Sequence, residues 1–218
     1  MLIMIWLEAL QSANWSQMAV YGLGAYVLGC FATGYYLVRA LRGQDIRALG
    51  SGSVGARNVS HMLGKRGFVL TTLGDIAKGV LAVWATRHLT GDDRLAGLVM
   101  LAVTAGHIWP AQLRFRGGKG VATSLGALLI YDWRLALTYV VVFLGGFALT
   151  RRTILPGLFG YVCLPVAACW LEHDLVHTGV VALLGALVLI AHRRNIVEEF
   201  PALAAWCGVA AKPEQPKL

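Results

Sequence analysis

Long apolar runs without a single charge are the feature that most limits how this chain can fold. Met18 to Val38 and Leu135 to Thr150 contain no Asp, Glu, Lys or Arg. Uncharged stretches of this kind read as membrane helices or nearly so, because a water-soluble domain interleaves polar residues along its elements. The whole chain is 57% hydrophobic and 14% charged, where an ordinary soluble domain carries about 25% charged residues. The bilayer is therefore the solvent. An all-α integral membrane protein is predicted, since a helix satisfies its own backbone hydrogen bonds where no water can.

Apolar runs bounded by charge give seven segments: Gln17 to Val38, Gly67 to Thr86, Leu95 to Leu113, Gly120 to Trp133, Leu135 to Thr150, Ile154 to Leu171 and Val176 to Ala191. The connection after the first segment carries Arg39, Arg42, Arg47, Arg57, Lys65 and Arg66, whereas the next has Arg87 and Arg94 against Asp92 and Asp93. Cytoplasmic loops hold the excess of Lys and Arg, so the first connection is inside. Alternation then places fifteen of the 19 Lys and Arg residues on the cytoplasmic side. The expected protein has about seven transmembrane helices, N-out and C-in, with short re-entrant-like glycine-rich loops on the cytoplasmic face. Gly120 to Trp133 strains this count, because about 14 residues are fewer than the roughly 20 a helix needs to cross. A re-entrant segment is the alternative, but it would put Arg151, Arg152 and the basic tail outside, so the short crossing is preferred.

Residues 1–195 form a single transmembrane domain in this reading, and 196–218 a cytoplasmic tail, partly disordered, ending AAKPEQPKL. The N-terminal MLIMIWLEALQSAN lacks the basic region of a signal peptide and is expected at the membrane interface. A formal charge of +8 raises nucleic-acid binding, but the basic residues fall in short clusters between apolar runs, as topology demands, so no nucleic-acid partner is expected. Cys30, Cys163, Cys169 and Cys207 show no metal-ligand spacing, and neither a metal nor a cofactor is expected. No repeat relates the spans, which argues against a secondary transporter.

Two connections carry chemistry. The first, LGSGSVGARNV, interleaves Gly50, Gly52 and Gly55 with Ser51, Ser53, Arg57 and Asn58. Glycines let successive amide groups turn toward one point, and hydroxyls with a guanidinium complete a phosphate site. A plain flexible loop is the bland alternative. The second, RFRGGKGVATS, sets Gly117, Gly118, Lys119 and Gly120 directly before an apolar helix, where amide groups and an ammonium together attract an anion. It lacks the GxxxxGK[ST] spacing of a P-loop, and a purely topogenic turn would leave its glycines without a reason. His107 precedes this turn in GHIWP, where packing is the commoner role. His192 and Asn195, three residues apart, can face one cavity. In the second span, Asp75 and Lys78 must pair or face a polar cavity, since each alone is costly in lipid.

Taken in order, LGSGSVGARNV, GHIWPAQLRFRGGKGVATSLG and HRRN resemble the bacterial acyl-phosphate:glycerol-3-phosphate acyltransferases, the PlsY family, and GDIAKG in the second span is similar as well. The resemblance runs from about Gly50 to Asn195. It implies a multi-pass enzyme of the inner membrane whose active site faces the cytoplasm. Its substrates would be acyl phosphate and glycerol 3-phosphate, acylated at the sn-1 hydroxyl to give lysophosphatidic acid in phospholipid synthesis. Carried over by motif position, Ser51, its neighbouring glycines and Asn58 would hold a substrate phosphate, Lys119 would neutralise it, and His192 with Asn195 would sit at the acceptor. His192 is the natural general base, with a substrate phosphate oxygen as the alternative.

Three positions depart from the family pattern: Ser53 replaces an Asn, Arg57 a Thr and His61 an Arg, and the serine-rich run of the fifth loop is here Arg151, Arg152, Thr153 and Ile154. Arg57, Arg152 or His61 is then expected at the acceptor's phosphate. An acyl-phosphate-dependent enzyme of the same fold with another acceptor is one alternative, and a small-anion transporter a more distant one.

Overall fold

The structure, a computed structural model, describes residues 14–172 and 174–199, and the expectations for the interfacial N-terminus before Asn14 and for the tail beyond Glu199 lie outside them. Among the described residues every regular element is helical: α1 Trp15–Cys30, α2 Thr33–Arg42, α3 Ala56–Thr90, α4 Asp93–Ile108, α5 Val121–Tyr131, α6 Trp133–Thr150, α7 Ile154–Glu172, α8 Leu175–Ala191 and α9 Arg193–Glu199. Short 3-10 turns lie at Ile46–Ala48 and Ala111–Leu113. Each of the seven apolar segments is found as helix. Five stretches are long and apolar enough to cross a membrane, and α5 and α8 are shorter apolar helices. Helix α9 continues past Asn195, so the expected tail begins as an ordered turn.

Large apolar side chains point outward along these helices, including Leu149 at 88% and Val166 at 72% exposure. Water would penalise such a surface and lipid does not. The interior is built by close backbone approach. A Cβ on Gly79 of α3 would strike the Thr123 carbonyl, and one on Gly126 of α5 the Ile76 carbonyl, so two glycines let α3 and α5 touch main chain to main chain. Small residues serve this purpose where no hydrophobic effect drives helices together. Aspartates start several helices: Asp92, Asp132 and Asp174 each accept a hydrogen bond from an amide of the first turn.

Two long helical segments are interrupted. In α3, Gly64 adopts φ +64 and ψ −159, which turns the first two turns away from the rest. Between α1 and α2, Phe31 and Ala32 are extended, with ψ 97 and 91, and the break frees carbonyls that a continuous helix would have used. Three of them find partners. The Lys78 ammonium donates to the carbonyls of Gly29 (3.1 Å) and Phe31 (2.8 Å), and Gln112 Nε2 donates to that of Cys30. Past the break, the Thr33 hydroxyl donates to Asp75 Oδ1 at 3.1 Å.

Candidate active site

Asn58 organises the first glycine loop. Its Nδ2 donates toward the carbonyls of Ser53 (2.9 Å), Leu49 (3.0 Å) and Ile46 (3.3 Å), while its Oδ1 accepts from the Ser51 amide at 3.1 Å. Gly50 and Gly52 take the left-handed conformation, at φ +55 and +72, as the glycine pattern led one to expect. Gly55 does not. It is extended and opens α3, and its amide donates to Ser53 Oγ at 3.2 Å. Asn58, expected to hold a substrate phosphate, is a buried amide committed on both ends to the loop's own backbone, and what the structure shows of it is that it shapes the loop. Ser51, in the loop, and the Arg57 side chain, in the first turn of α3, are by contrast exposed, while the amides of Asn58 and Val59 bond the Gly55 carbonyl. His61 is exposed one turn further on.

The second loop obeys different rules. Its Gly117 amide donates to the Ile108 carbonyl (3.1 Å) and its Gly118 amide to the His107 carbonyl (3.0 Å), folding the chain back along the end of α4. A Cβ on Gly117 would run into those carbonyls and Pro110, and one on Gly118 into the His107 ring. These glycines are explained by packing, and their amides are consumed by the protein. The expectation that Gly117 and Gly118 cradle phosphate with their amides is corrected accordingly. Gly120 turns at φ +84 to start α5. Between Gly118 and Gly120 the half-buried Lys119 directs its ammonium to Asn195 Oδ1, to which it donates.

That contact joins the second loop to the chain after the last apolar helix. His192 closes α8, 7% exposed, with Nδ1 2.8 Å from the Val188 carbonyl. A carbonyl can only accept, so Nδ1 carries the proton and Nε2 keeps its lone pair. Burial pushes the His192 pKa below its ordinary value, and the charge of Lys119 adds to the effect, while the bond to Val188 opposes it. The shift favours the neutral imidazole, in which Nε2 is the basic nitrogen. Lys119 and Asn195, predicted separately from two motifs, therefore meet, three residues along the chain from His192 and close enough for the Lys119 charge to act on its ring. Arg152 comes near by another route, since its guanidinium bonds Glu199 at 2.6 Å, one turn beyond Asn195 on α9. The pair is exposed on the arginine side and contributes little to stability.

Arg47 was read from the sequence only as part of a topogenic cluster, and the structure gives it a specific task. It grips Asp45 and donates to the Leu113 carbonyl at 2.7 Å, so it pins the first loop to the turn that precedes the second. Leu113 is also packed with Ile46, Val54 and Val59. The Arg47 hydrogen bond holds the Asp45 carboxyl below the usual carboxylate range. A D-x-R spacing at a helical turn was the one local signal available.

A polar cavity of about 470 Å³ lies at the other end of α3, among Arg87, Asp93, Asp132, Arg134 and His177. Its charges are matched: Arg87 with Asp93 at 2.6 Å, and Arg134 with Asp132 at 3.1 Å. It binds helix ends together, far along α3 from the glycine loops.

Comparison with known proteins gives a consistent result. The family described as glycerol-3-phosphate acyltransferase matches residues 19–200. A glycerol-3-phosphate acyltransferase 1 of Desulfitobacterium hafniense (strain Y51) is 44% identical over 81% of this chain and 87% of its own length. A glycerol-3-phosphate acyltransferase of Synechococcus sp. (strain JA-2-3B'a(2-13)) is 45% identical over 80% and 86%. A crystal structure of PlsY (YgiH), an integral membrane glycerol 3-phosphate acyltransferase, in its glycerol 3-phosphate form, superposes with a TM-score of 0.75 at 29% identity. The match covers 90% of this chain and 96% of that one.

Proposed function

This chain belongs to the glycerol-3-phosphate acyltransferase family, and from that premise we propose how its residues transfer an acyl group from acyl phosphate to the sn-1 hydroxyl of glycerol 3-phosphate. The protein is an integral membrane acyltransferase that makes lysophosphatidic acid. The observation that supports the mechanism is the contact of Lys119 with Asn195, three residues from a buried, Nδ1-anchored His192 whose ring feels the Lys119 charge.

An acyl phosphate is already activated, so the enzyme has mainly to position two substrates and stabilise negative charge as it develops. In the proposed step the acceptor hydroxyl attacks the acyl carbonyl while His192 Nε2 takes its proton. The C–O bond to phosphate then breaks, and the proton passes to the departing inorganic phosphate. Lys119 offsets the charge of the oxyanion and of the leaving group. Ser51, Arg57 and the first turn of α3 face the other phosphate, that of the acceptor, with Arg57 standing in for the arginine that the family pattern places at 61.

The same reading has seven crossings in the inner membrane, N-out and C-in, with both glycine loops at the cytoplasmic surface. The basic residues of the loops support that orientation. It also accounts for α5. Eleven residues span only about 16 Å of a hydrocarbon core of about 30 Å, so the turn from Arg114 to Gly120 makes up part of the crossing.

The test is an assay of purified protein in lipid with palmitoyl phosphate or palmitoyl-CoA as donor and a panel of acceptors. The expected outcome is equal release of lysophosphatidic acid and inorganic phosphate from acyl phosphate and glycerol 3-phosphate. Transfer from acyl-CoA alone would overturn the donor assignment, and consumption of acyl phosphate only with another acceptor would overturn the role given to Arg57.

A further inference from the structure

The polar cluster inside the helices is used by no step above. Asp75 and Lys78 of α3 are 2% and 5% exposed and 3.0 Å apart, and His107 of α4 is 3% exposed with Nδ1 2.8 Å from Lys78 Nζ. An ammonium has no lone pair, so Nδ1 accepts and the imidazole proton sits on Nε2. That Nε2 edge is the part of the ring a Cβ at Gly118 would strike. The His107 carbonyl receives the Gly118 amide at 3.0 Å. Asp75 is held in turn by Thr33 Oγ1 at 3.1 Å, and Lys78 by the carbonyls at the break of the first span. A chain of fixed contacts therefore runs from the break between α1 and α2 through Asp75, Lys78 and His107 to the residue before Lys119.

We infer that Asp75, Lys78 and His107 are positioning residues for acyl transfer: together they hold the His107 ring as the seat of Gly118 and so set where the Lys119 ammonium stands against the substrate phosphate. The physical reason is that a turn whose amides are tied to one carbonyl each can still pivot about them. The ring face behind Gly118 removes that freedom. A misplacement of about 1 Å at a charge-stabilising group costs on the order of 100-fold in rate. An ion pair kept only for stability would not need a third, uncharged ring pressed on the catalytic turn, since neutral packing of similar volume is often as stable.

The inference rests on the assignment of Lys119 above, so Lys119→Ala is measured in parallel. The main variant is the double substitution Asp75→Asn/Lys78→Met, which removes both buried charges and leaves neither unpaired. The readouts are kcat, KM for glycerol 3-phosphate and thermal unfolding in lipid. The expected result is folded protein with kcat lowered about 100-fold and KM for glycerol 3-phosphate changed by less than about threefold. His107→Asn is the second variant: it alters no charge, keeps an acceptor for Lys78 and withdraws the seat, and it is expected to lose kcat by a similar factor. Wild-type kcat in either folded variant, with Lys119→Ala inactive, overturns the relay and leaves the Lys119 assignment standing. An active Lys119→Ala overturns that assignment and the relay with it.

Discussion

The two glycine loops look alike in sequence and are built in opposite ways. The first, around Gly50 to Asn58, is held from within by one buried amide that satisfies four backbone groups of its own loop. Its surface is left free to bind, and Arg57 and Ser51 stand exposed on it. The second, Arg114 to Gly120, is held from outside: Gly117 and Gly118 lie flat against the end of α4 and give their amides to it. Beside the exposed Arg114, Phe115 and Arg116 it carries Lys119, half-buried and oriented by Asn195. The amides of Ser51, Gly52 and Gly55 are tied within the first loop and those of Gly117 and Gly118 to α4, so each loop offers side chains: exposed Ser51 and Arg57 in the first, one fixed ammonium beside two exposed arginines in the second. In the proposed mechanism the first recognises the acceptor, and the second offsets charge that appears during reaction.

The largest way to break this comparison is Lys119→Ala. If the second loop exists to present one ammonium, kcat falls at least about 100-fold, near 3 kcal/mol of transition-state stabilisation, while thermal unfolding is unchanged. Retention of more than about a tenth of wild-type activity would mean the loop's charge is not its purpose.

Arg57→Ala tests the first loop. It is expected to raise KM for glycerol 3-phosphate about ten- to a hundredfold, the cost of about 1.5 to 3 kcal/mol for a charge-assisted pair, with KM for acyl phosphate nearly unchanged. His61→Arg, restoring the family's usual residue, should leave activity unchanged or raise it. Equal effects of Arg57→Ala on both substrates would dissolve the division of labour between the loops.

Asn58→Ala sharpens the contrast through stability. Removing the central amide strands several carbonyls, and the expected loss is about 1 to 3 kcal/mol, with a raised KM for glycerol 3-phosphate as the loop loosens. Asn58→Asp should be no better, because a carboxylate cannot donate to the carbonyls of Leu49 and Ser53. Circular-dichroism melts in lipid would read the difference.

The smallest effect is in the pH profile. In the proposed mechanism His192 is a base only when neutral, and burial lowers its pKa from the ordinary value of about 6.5. Activity should therefore persist as pH falls through 6.5 and disappear only below it. An acid limb in kcat above pH 6.5 would show that another group carries the proton.

Some of this was legible in the sequence for good reasons. Hydropathy read residue by residue marks where helices lie, so all seven apolar segments were found, and even α5 was singled out for its shortness. Lys119, His192 and Asn195 were legible as motif residues, because chemistry restricts which side chains can serve. The tasks of Asn58, Gly117 and Gly118 were not. Glycine next to a charged residue reads as an anion cradle, and nothing local says that a ring 11 residues earlier in the chain will occupy the space behind Gly118. The break at Phe31 and Ala32 was missed for a related cause: no proline or glycine marks it, and it is tolerated only because Lys78 and Gln112, far along the chain, supply the missing donors.

The sequence by itself determined the solvent this protein folds in and the order of its apolar helices, and its motifs singled out the side chains proposed to move an acyl group. The first two follow from composition and periodicity, which are properties of neighbours along the chain, and the third from motifs that resemble those of a known family. Only the tertiary structure decided that Lys119 meets Asn195 beside His192, that Arg47 ties one loop to the other through Leu113, and that Asp75 and Lys78 stand behind His107. Those contacts join residues tens of positions apart. They exist because a low-dielectric interior forces every freed carbonyl and every buried charge to find a partner, and the fold determines which partner is within reach.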